Sequence, residues 1–244
     1  NSSVAGSMRA MAPPSKIWQS NGGCIYVDTG PHPEYATPEC RSAREAVLYA
    51  KAGEIITTRI FSRRFPDQSR FILFKNNLGC TAEGTPEGSY GCHENYLLHG
   101  KRFRERGMTR EDMVHAFIPF LITRQIMDGA GWWQEDGTFL FSQRSLTMTT
   151  TVGESSMQSR PILHVKDTSN DTGPCPRLHL ILGDSNILDV ACFLKIVTTS
   201  LVLSLIESEC APQIICQDPV EVMKKIAGDD PMTVQDMCRD KTPL

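Results

Sequence analysis

The sequence carries no basic excess: 25 Lys and Arg face 28 Asp and Glu, a net charge of −3. A surface that grips nucleic-acid phosphates shows a surplus of cations, so no nucleic-acid partner is expected. No Cys-x-x-Cys pair occurs among the nine cysteines. Cys24, Cys40, Cys80, Cys92, Cys175, Cys192, Cys210, Cys216 and Cys238 are scattered without rhythm, which argues against a zinc site. They read as reduced thiols of a cytoplasmic protein. The P-loop, the Gly-x-Gly-x-x-Gly dinucleotide fingerprint and the Gly-x-Ser-x-Gly elbow are all absent, which removes the familiar nucleotide cradles and the α/β-hydrolase nucleophile. The longest apolar stretch, residues 196–206 (IVTTSLVLSLI), is broken by Thr and Ser. It is shorter than the ~20 residues that cross a bilayer, so no membrane partner is expected. No targeting segment and no internal repeat is evident in these residues.

What is present is an ordinary globular composition, 40% hydrophobic and 22% charged over 244 residues. That length suits one large domain or two small ones. Residues 1–20 open with a small, polar, Pro-containing segment and read as flexible; residues 229–244 read as a polar tail. The folded domain is expected over 21–228, and both ends suggest a piece of a longer protein. Strands are expected at 23–27 (GCIYV), 70–75 (RFILFK), 93–98 (HENYLL), 138–142, 147–151, 160–165 (RPILHV) and 178–183 (LHLILG). Residues 28–38, with three prolines, read as turns, and 81–91, with three glycines, as loop. Helices are expected at 43–52, from a Thr109 cap through Pro119 to Met127, and at 187–207, the last apolar on most sides and therefore buried. Lys101, Arg102, Arg104, Arg106 and Arg110 form a charged cluster, either a solvated face or a docking patch for an acidic partner. Strands and helices without regular alternation predict an α+β fold with an antiparallel sheet.

The chemistry starts at residues 24–28. Tyr26 and Asp28 are two apart and share one face of a strand, with Glu34 close behind. Hard oxygens on one face suit Mg²⁺, although a polar rim at a strand end has the same pattern. His93 opens its strand with Asn95 on the same face, and His179 sits among apolar neighbours as core histidines do. Arg144 and Arg160 flank strands; a planar guanidinium binds phosphate oxygens in pairs.

Seven blocks carry a resemblance. They are IYVDTGPHPEYATPEC (25–40), LFKNN (73–77), SYGCHENYL (89–97), PFLITRQIMDGAG (119–131), SQR (142–144), RPILHVKD (160–167) and RLHLILGDSN (177–186). In order and content they resemble the Pup ligase and Pup deamidase family, within the glutamine-synthetase-like carboxylate–amine ligases. The resemblance implies a curved antiparallel sheet cradle, backed by helices, that holds ATP and Mg²⁺. It implies ATP-dependent ligation of the C-terminal glutamate of a small Pup-like modifier to lysines of target proteins through an acyl phosphate. On it, Asp28 matches the catalytic base, Tyr26, Glu34, His93 and His179 the metal ligands, and Thr37, Arg144 and Arg160 the nucleotide and phosphate contacts. Thr29-Gly30-Pro31-His32 and Cys92 resemble the ligase branch more than the deamidase branch. An amidase or isopeptidase of the same fold, and a non-catalytic module that binds the modifier, are the alternatives. Three features depart from the family: no Gly-x-Glu-x-Glu strand in residues 1–20, Cys24 where ligases carry an arginine, and no smaller C-terminal domain. The resemblance therefore implies weak Mg²⁺–ATP binding unless a further segment or second chain completes the site.

Overall fold

In the computed structural model, residues 16–28, 32–67, 72–80, 86–98, 110–155, 159–164, 177–228 and 238–240 are described. Internal contacts divide the chain into two units, Asn1–Phe74 and Lys75–Leu244.

In the first unit, β1 (Ile17–Trp18), β2 (Cys24–Asp28) and β3 (His32–Ala36) form an antiparallel sheet in that order. The β3 segment was expected to be turn. It pairs along its length with β2, from Cys24 opposite Ala36 to Asp28 opposite His32. Pro33 fits because β3 lies at the sheet edge, where a missing N–H breaks no ladder. Helix α1 (Ala43–Arg64) starts where expected: the Ser42 hydroxyl accepts the Glu45 N–H at 3.2 Å, and Glu45 accepts the Arg41 N–H at 2.7 Å. It runs 22 residues, well past Ala52, because Gly53 continues it. Gly53 is required by tertiary contact: a Cβ there would overlap the Tyr35 ring, and one at Gly23 would overlap the same ring from its hydroxyl end. Gly53→Ala should therefore destabilise by about 1–3 kcal/mol, although alanine is the better helix former by ~1 kcal/mol. A gain in Tm would show that Tyr35 can move aside. The expected strand at 70–75 is not seen: 70–71 lie outside the described residues, and 72–76 are irregular, with Ile72 and Phe74 exposed and no partner strand.

In the second unit, β4 (Leu78–Cys80) pairs with β5 (Pro86–Ser89), the latter inside a segment expected to be loop. Strand β6 (Glu94–Leu97) falls as expected. It pairs with β11 (Arg177–Leu180), placing His179 opposite Asn95 and Leu180 opposite Glu94. Between them come β7 (Trp132–Trp133) with β8 (Phe139–Leu140), and β9 (Thr150–Gly153) with β10 (Pro161–His164). The β9–β10 pair is parallel, and the other described pairings are antiparallel. Strand β12 (Ile214–Cys216) pairs with β13 (Cys238–Asp240). A 3₁₀ turn occupies Arg144–Thr147, so the expected strand at 147–151 begins only at Thr150.

Helix α2 (Arg110–Thr123) continues through Pro119 and breaks at Arg124, after which a short α3 (Gln125–Asp128) follows. The Thr109 cap and the cluster Lys101, Arg102, Arg104 and Arg106 lie outside the described residues. Helix α4 (Asp189–Glu207) and α5 (Pro219–Ala227), the latter capped by Asp218 with proline at its first turn, complete the unit. The core gathers Phe117, Ile118, Leu121 and Ile122 of α2 with Ile162 and Leu163, Leu178 and Leu180, and Val222, Met223 and Ile226 of α5. The fold is α+β.

Helix α4 departs from expectation. By length and composition alone it could cross a membrane, and only part of it is buried. Its inward residues include Lys195, Thr199 and Glu207, while Val190, Phe193, Leu201 and Leu205 are exposed. The inner face joins apolar Leu203 and Ile206, which pack into the core, to polar residues that find partners inside the fold. The Arg124 guanidinium donates to Glu94 at 2.6 and 3.0 Å and to the Thr199 hydroxyl at 2.8 Å, and Lys195 donates to the Asp184 carbonyl at 2.7 Å.

Asp128 is the weak member of this network. It is 4% exposed, its Oδ2 lies 3.8 Å from Arg124 Nε, and that oxygen has no hydrogen-bond partner among the described residues. Burial, reinforced by the charges of Glu94 and Asp184, pushes its carboxyl up to about 6 against the pull of Arg124 and Lys195. An acid with a raised folded value binds its proton more tightly when folded. Stability should thus rise as pH falls through about 6 and be lower above it. Asp128→Asn should flatten Tm between about pH 4 and 6 and stabilise the protein at pH 8 by on the order of 1–2 kcal/mol. An unchanged pH profile in the variant would refute this assignment.

Candidate functional site

The β2–β3 pairing sets the first group. Residues directly opposite on an antiparallel pair bring their side chains together. Tyr26 stands opposite Glu34, and its hydroxyl donates to Glu34 Oε1 in a short bond. Asp28, two residues along, shares the face and is exposed. Burial first, then Asp28, raises the Glu34 carboxyl above its ordinary value, while the Tyr26 bond and Lys16 oppose this. Burial, with the Glu34 bond and charge, also raises the Tyr26 phenol. The Lys16 ammonium lies 5.3 Å from the Tyr26 ring centroid. Thr37 follows β3 and is exposed, with its side chain toward Cys40.

The second group lies in the other unit. The His93 and His179 rings meet edge-on with centroids 5.0 Å apart, and His164 adds a third ring 5.1 Å from His179. Arg144 is 3% exposed, with its Nε donating to the Ile181 carbonyl at 3.0 Å and Nη1 to the Ser89 hydroxyl. Burial, then the charge of Arg160, pushes Arg144 down to about 10. An added Cβ on Gly91 would overlap His93 Nε2 and lie 3.6 Å from Arg144 Nη2, so glycine keeps open the space beside both. Arg160 has φ of +21°, a region most side chains avoid, and its carbonyl accepts the Thr149 N–H at 3.2 Å.

These arrangements can be tested against the groups they are expected to hold. Two carboxylates and a phenol are hard oxygen donors, and like charges held together partly out of water suit a cation such as Mg²⁺. Among the described residues, however, no three of His, Cys, Asp and Glu form a metal-binding group. Tyr26 with Glu34, and His93 with His179, are each brought together. The two arginines repel one another, and an anion beside them would relieve that repulsion. His164 and Asp184 were not singled out from sequence. The blocks that contain them are visible there, but ring contacts and hydrogen bonds to main-chain groups far along the chain leave no local pattern.

The family model for the Pup-ligase protein matches residues 3–242. The chain belongs to the Pup-ligase family. It is 39% identical over 201 residues to the Pup–protein ligase of Corynebacterium diphtheriae, covering 80% of this chain and 40% of that protein. It is 34% identical over 226 residues to the Pup–protein ligase of Nocardioides sp., covering 88% and 48%. The structure of the Pup ligase PafA in complex with ADP superposes with a TM-score of 0.74 at 31% identity, over 93% of this chain and 50% of that one. The complex between Pup and its ligase PafA gives 0.71 at 33% identity, over 88% and 43%. The chain spans about half the length of the curated relatives it matches.

Proposed function

We propose that this protein is an ATP-dependent carboxylate–amine ligase. It would join the C-terminal glutamate of Pup or a Pup-like modifier to a lysine of a target protein. The observation that carries the reading is the family match along nearly the whole chain. The relatives solved with ADP and with Pup support the nucleotide and the modifier as partners. In this reading the short strands belong to a curved sheet cradle.

Bound Mg²⁺–ATP would supply the phosphoryl group that activates the modifier's carboxylate. The chain's own residues do the rest. In the first unit Glu34, oriented by the Tyr26 hydroxyl, would offer oxygens to a cation; in the second, the paired His93 and His179 would offer nitrogens. In the second unit Arg144 and Arg160 would offset negative charge on the phosphates, and in the first Thr37 would contact nucleotide. Asp28, exposed at the end of β2, would take the proton from the incoming lysine ammonium so that its nitrogen can attack the phosphorylated carboxyl carbon, the acyl–oxygen bond breaking and inorganic phosphate departing. The test is incubation with Pup ending in glutamate, ATP, Mg²⁺ and a lysine-bearing protein. Conjugate that forms only with ATP is expected. Release of ammonia from Pup ending in glutamine, without conjugate, would overturn the ligase reading in favour of a deamidase.

A further inference from the structure

The segment from Ile181 to Asp184 is a rail on which two candidate site residues are mounted. The Ile181 carbonyl accepts from Arg144 Nε at 3.0 Å, and the Gly183 carbonyl accepts the N–H of Cys92, next to His93, at 3.2 Å. Gly183 has no room for a side chain, since a Cβ there would lie 2.6 Å from Glu94 Oε1 and 2.9 Å from the Cys92 carbonyl. Asp184 is 3% exposed, and its carboxylate accepts three main-chain hydrogens. Oδ2 takes the Ala130 N–H at 2.8 Å and the Gln143 N–H at 3.0 Å, and Oδ1 takes the Arg144 N–H at 2.8 Å. Arg144 is thus held at its backbone by the Asp184 side chain and at its guanidinium by the main chain three residues earlier. The Asp184 carbonyl is held in turn by Lys195 Nζ at 2.7 Å.

The geometry points to Asp184 as the positioning residue that aims the Arg144 guanidinium at phosphate, an inference that rests on the phosphate-binding reading of Arg144. All three donors are N–H groups, so both oxygens must accept. Asparagine has the same shape but one oxygen only. Its amide nitrogen would face either the Arg144 N–H or the Ala130 and Gln143 N–H pair, donor against donor. An isosteric change should therefore release the start of the 3₁₀ turn that carries Arg144 while leaving the helical core in place.

The experiment compares the full chain with Asp184→Asn, Arg144→Ala and the double variant. ATP and adenosine serve as probes by NMR titration, and hydrogen exchange of the Arg144 Nε–H is followed alongside. The expected result is a loss of ATP affinity of about tenfold or more in each single variant, no further loss in the double variant, and unchanged adenosine binding. The Nε–H should exchange faster in Asp184→Asn while the core amides of α2 keep their protection. If Arg144→Ala weakens ATP binding and Asp184→Asn does not, the inference fails and the reading of Arg144 stands. If Arg144→Ala leaves ATP binding unchanged, that reading fails and takes the inference with it. Equal loss of ATP and adenosine binding in Asp184→Asn, with core protection gone, would mark a general structural role and overturn the inference too.

Discussion

On the ligase reading proposed above, Asp28→Asn is expected to remove most ligation while leaving fold and nucleotide affinity nearly unchanged. The residue is exposed at the end of β2 and stands opposite His32 rather than in the core. The substitution keeps size and shape and removes one property, the capacity to accept a proton at neutral pH. An alkylammonium ordinarily loses its proton near pH 10, so at pH 7 only a small fraction of a target lysine is ready to attack. A carboxylate aligned with the attack path takes the proton as the bond forms, and its loss typically lowers rates by ~10²–10⁴-fold. Tyr26 and Glu34 should keep their bond, although Asp28 adds both charge and a side-chain hydrogen bond at Glu34. The measurement is single-turnover formation of the Pup–lysine conjugate at saturating ATP, with ATP affinity measured separately. Near-normal ligation by the variant would remove Asp28 from the role of base.

The parts of this chain that were legible in sequence share a physical property: their signals are local. The β-branched and aromatic run around Tyr26 is a strand whatever packs on it, and the two-residue spacing of Tyr26 and Asp28 puts them on one face. The Ala- and Leu-rich run of residues 43–52 announces α1 in the same way. What was not legible depends on partners distant in sequence. Strand β3 looks like a turn because of Pro33, and only its edge position makes the proline acceptable. Gly53 looks like a helix end, and only the Tyr35 ring against it explains why the helix passes through. The apolar run of α4 looks wholly buried, yet only one face turns inward, where Lys195 and Thr199 meet Asp184 and Arg124 and Leu203 and Ile206 join the core. For the site, the oxygen group on β2 and β3 follows from register, while His164 and Asp184 become visible only when separate strands and turns are placed side by side.

The second large effect is expected at Arg124, where Arg124→Ala should cost about 3–5 kcal/mol of stability, the usual loss when one partner of a buried ion pair is removed. The guanidinium meets the Glu94 carboxylate in a two-bond fork at 2.6 and 3.0 Å, with both side chains almost fully enclosed. Burial alone would raise the Glu94 carboxyl, but Arg124, with Lys195 behind it, outweighs burial and holds it below its ordinary value. The Tyr96 hydroxyl donates to Glu94 Oε2 at 2.6 Å, so the carboxylate is saturated with donors as long as Arg124 is present. Without Arg124 a buried negative charge keeps one tyrosine and a nearby lysine, and the Thr199 hydroxyl loses its donor. Arg124→Lys should recover only part of the loss, because one ammonium cannot reproduce the fork. Glu94→Leu combined with Arg124→Met should be less harmful than Arg124→Ala alone, since Glu94 is then not left as an unpaired charge, although Asp128 still loses its ion partner. Urea unfolding of the three variants, read as midpoint shifts at constant slope, separates these cases. A midpoint for Arg124→Ala equivalent to less than about 1 kcal/mol would mean that water reaches Glu94 and that the pair is effectively solvated. The ion pair ties β6, whose Glu94 follows His93 directly, to the break between α2 and α3.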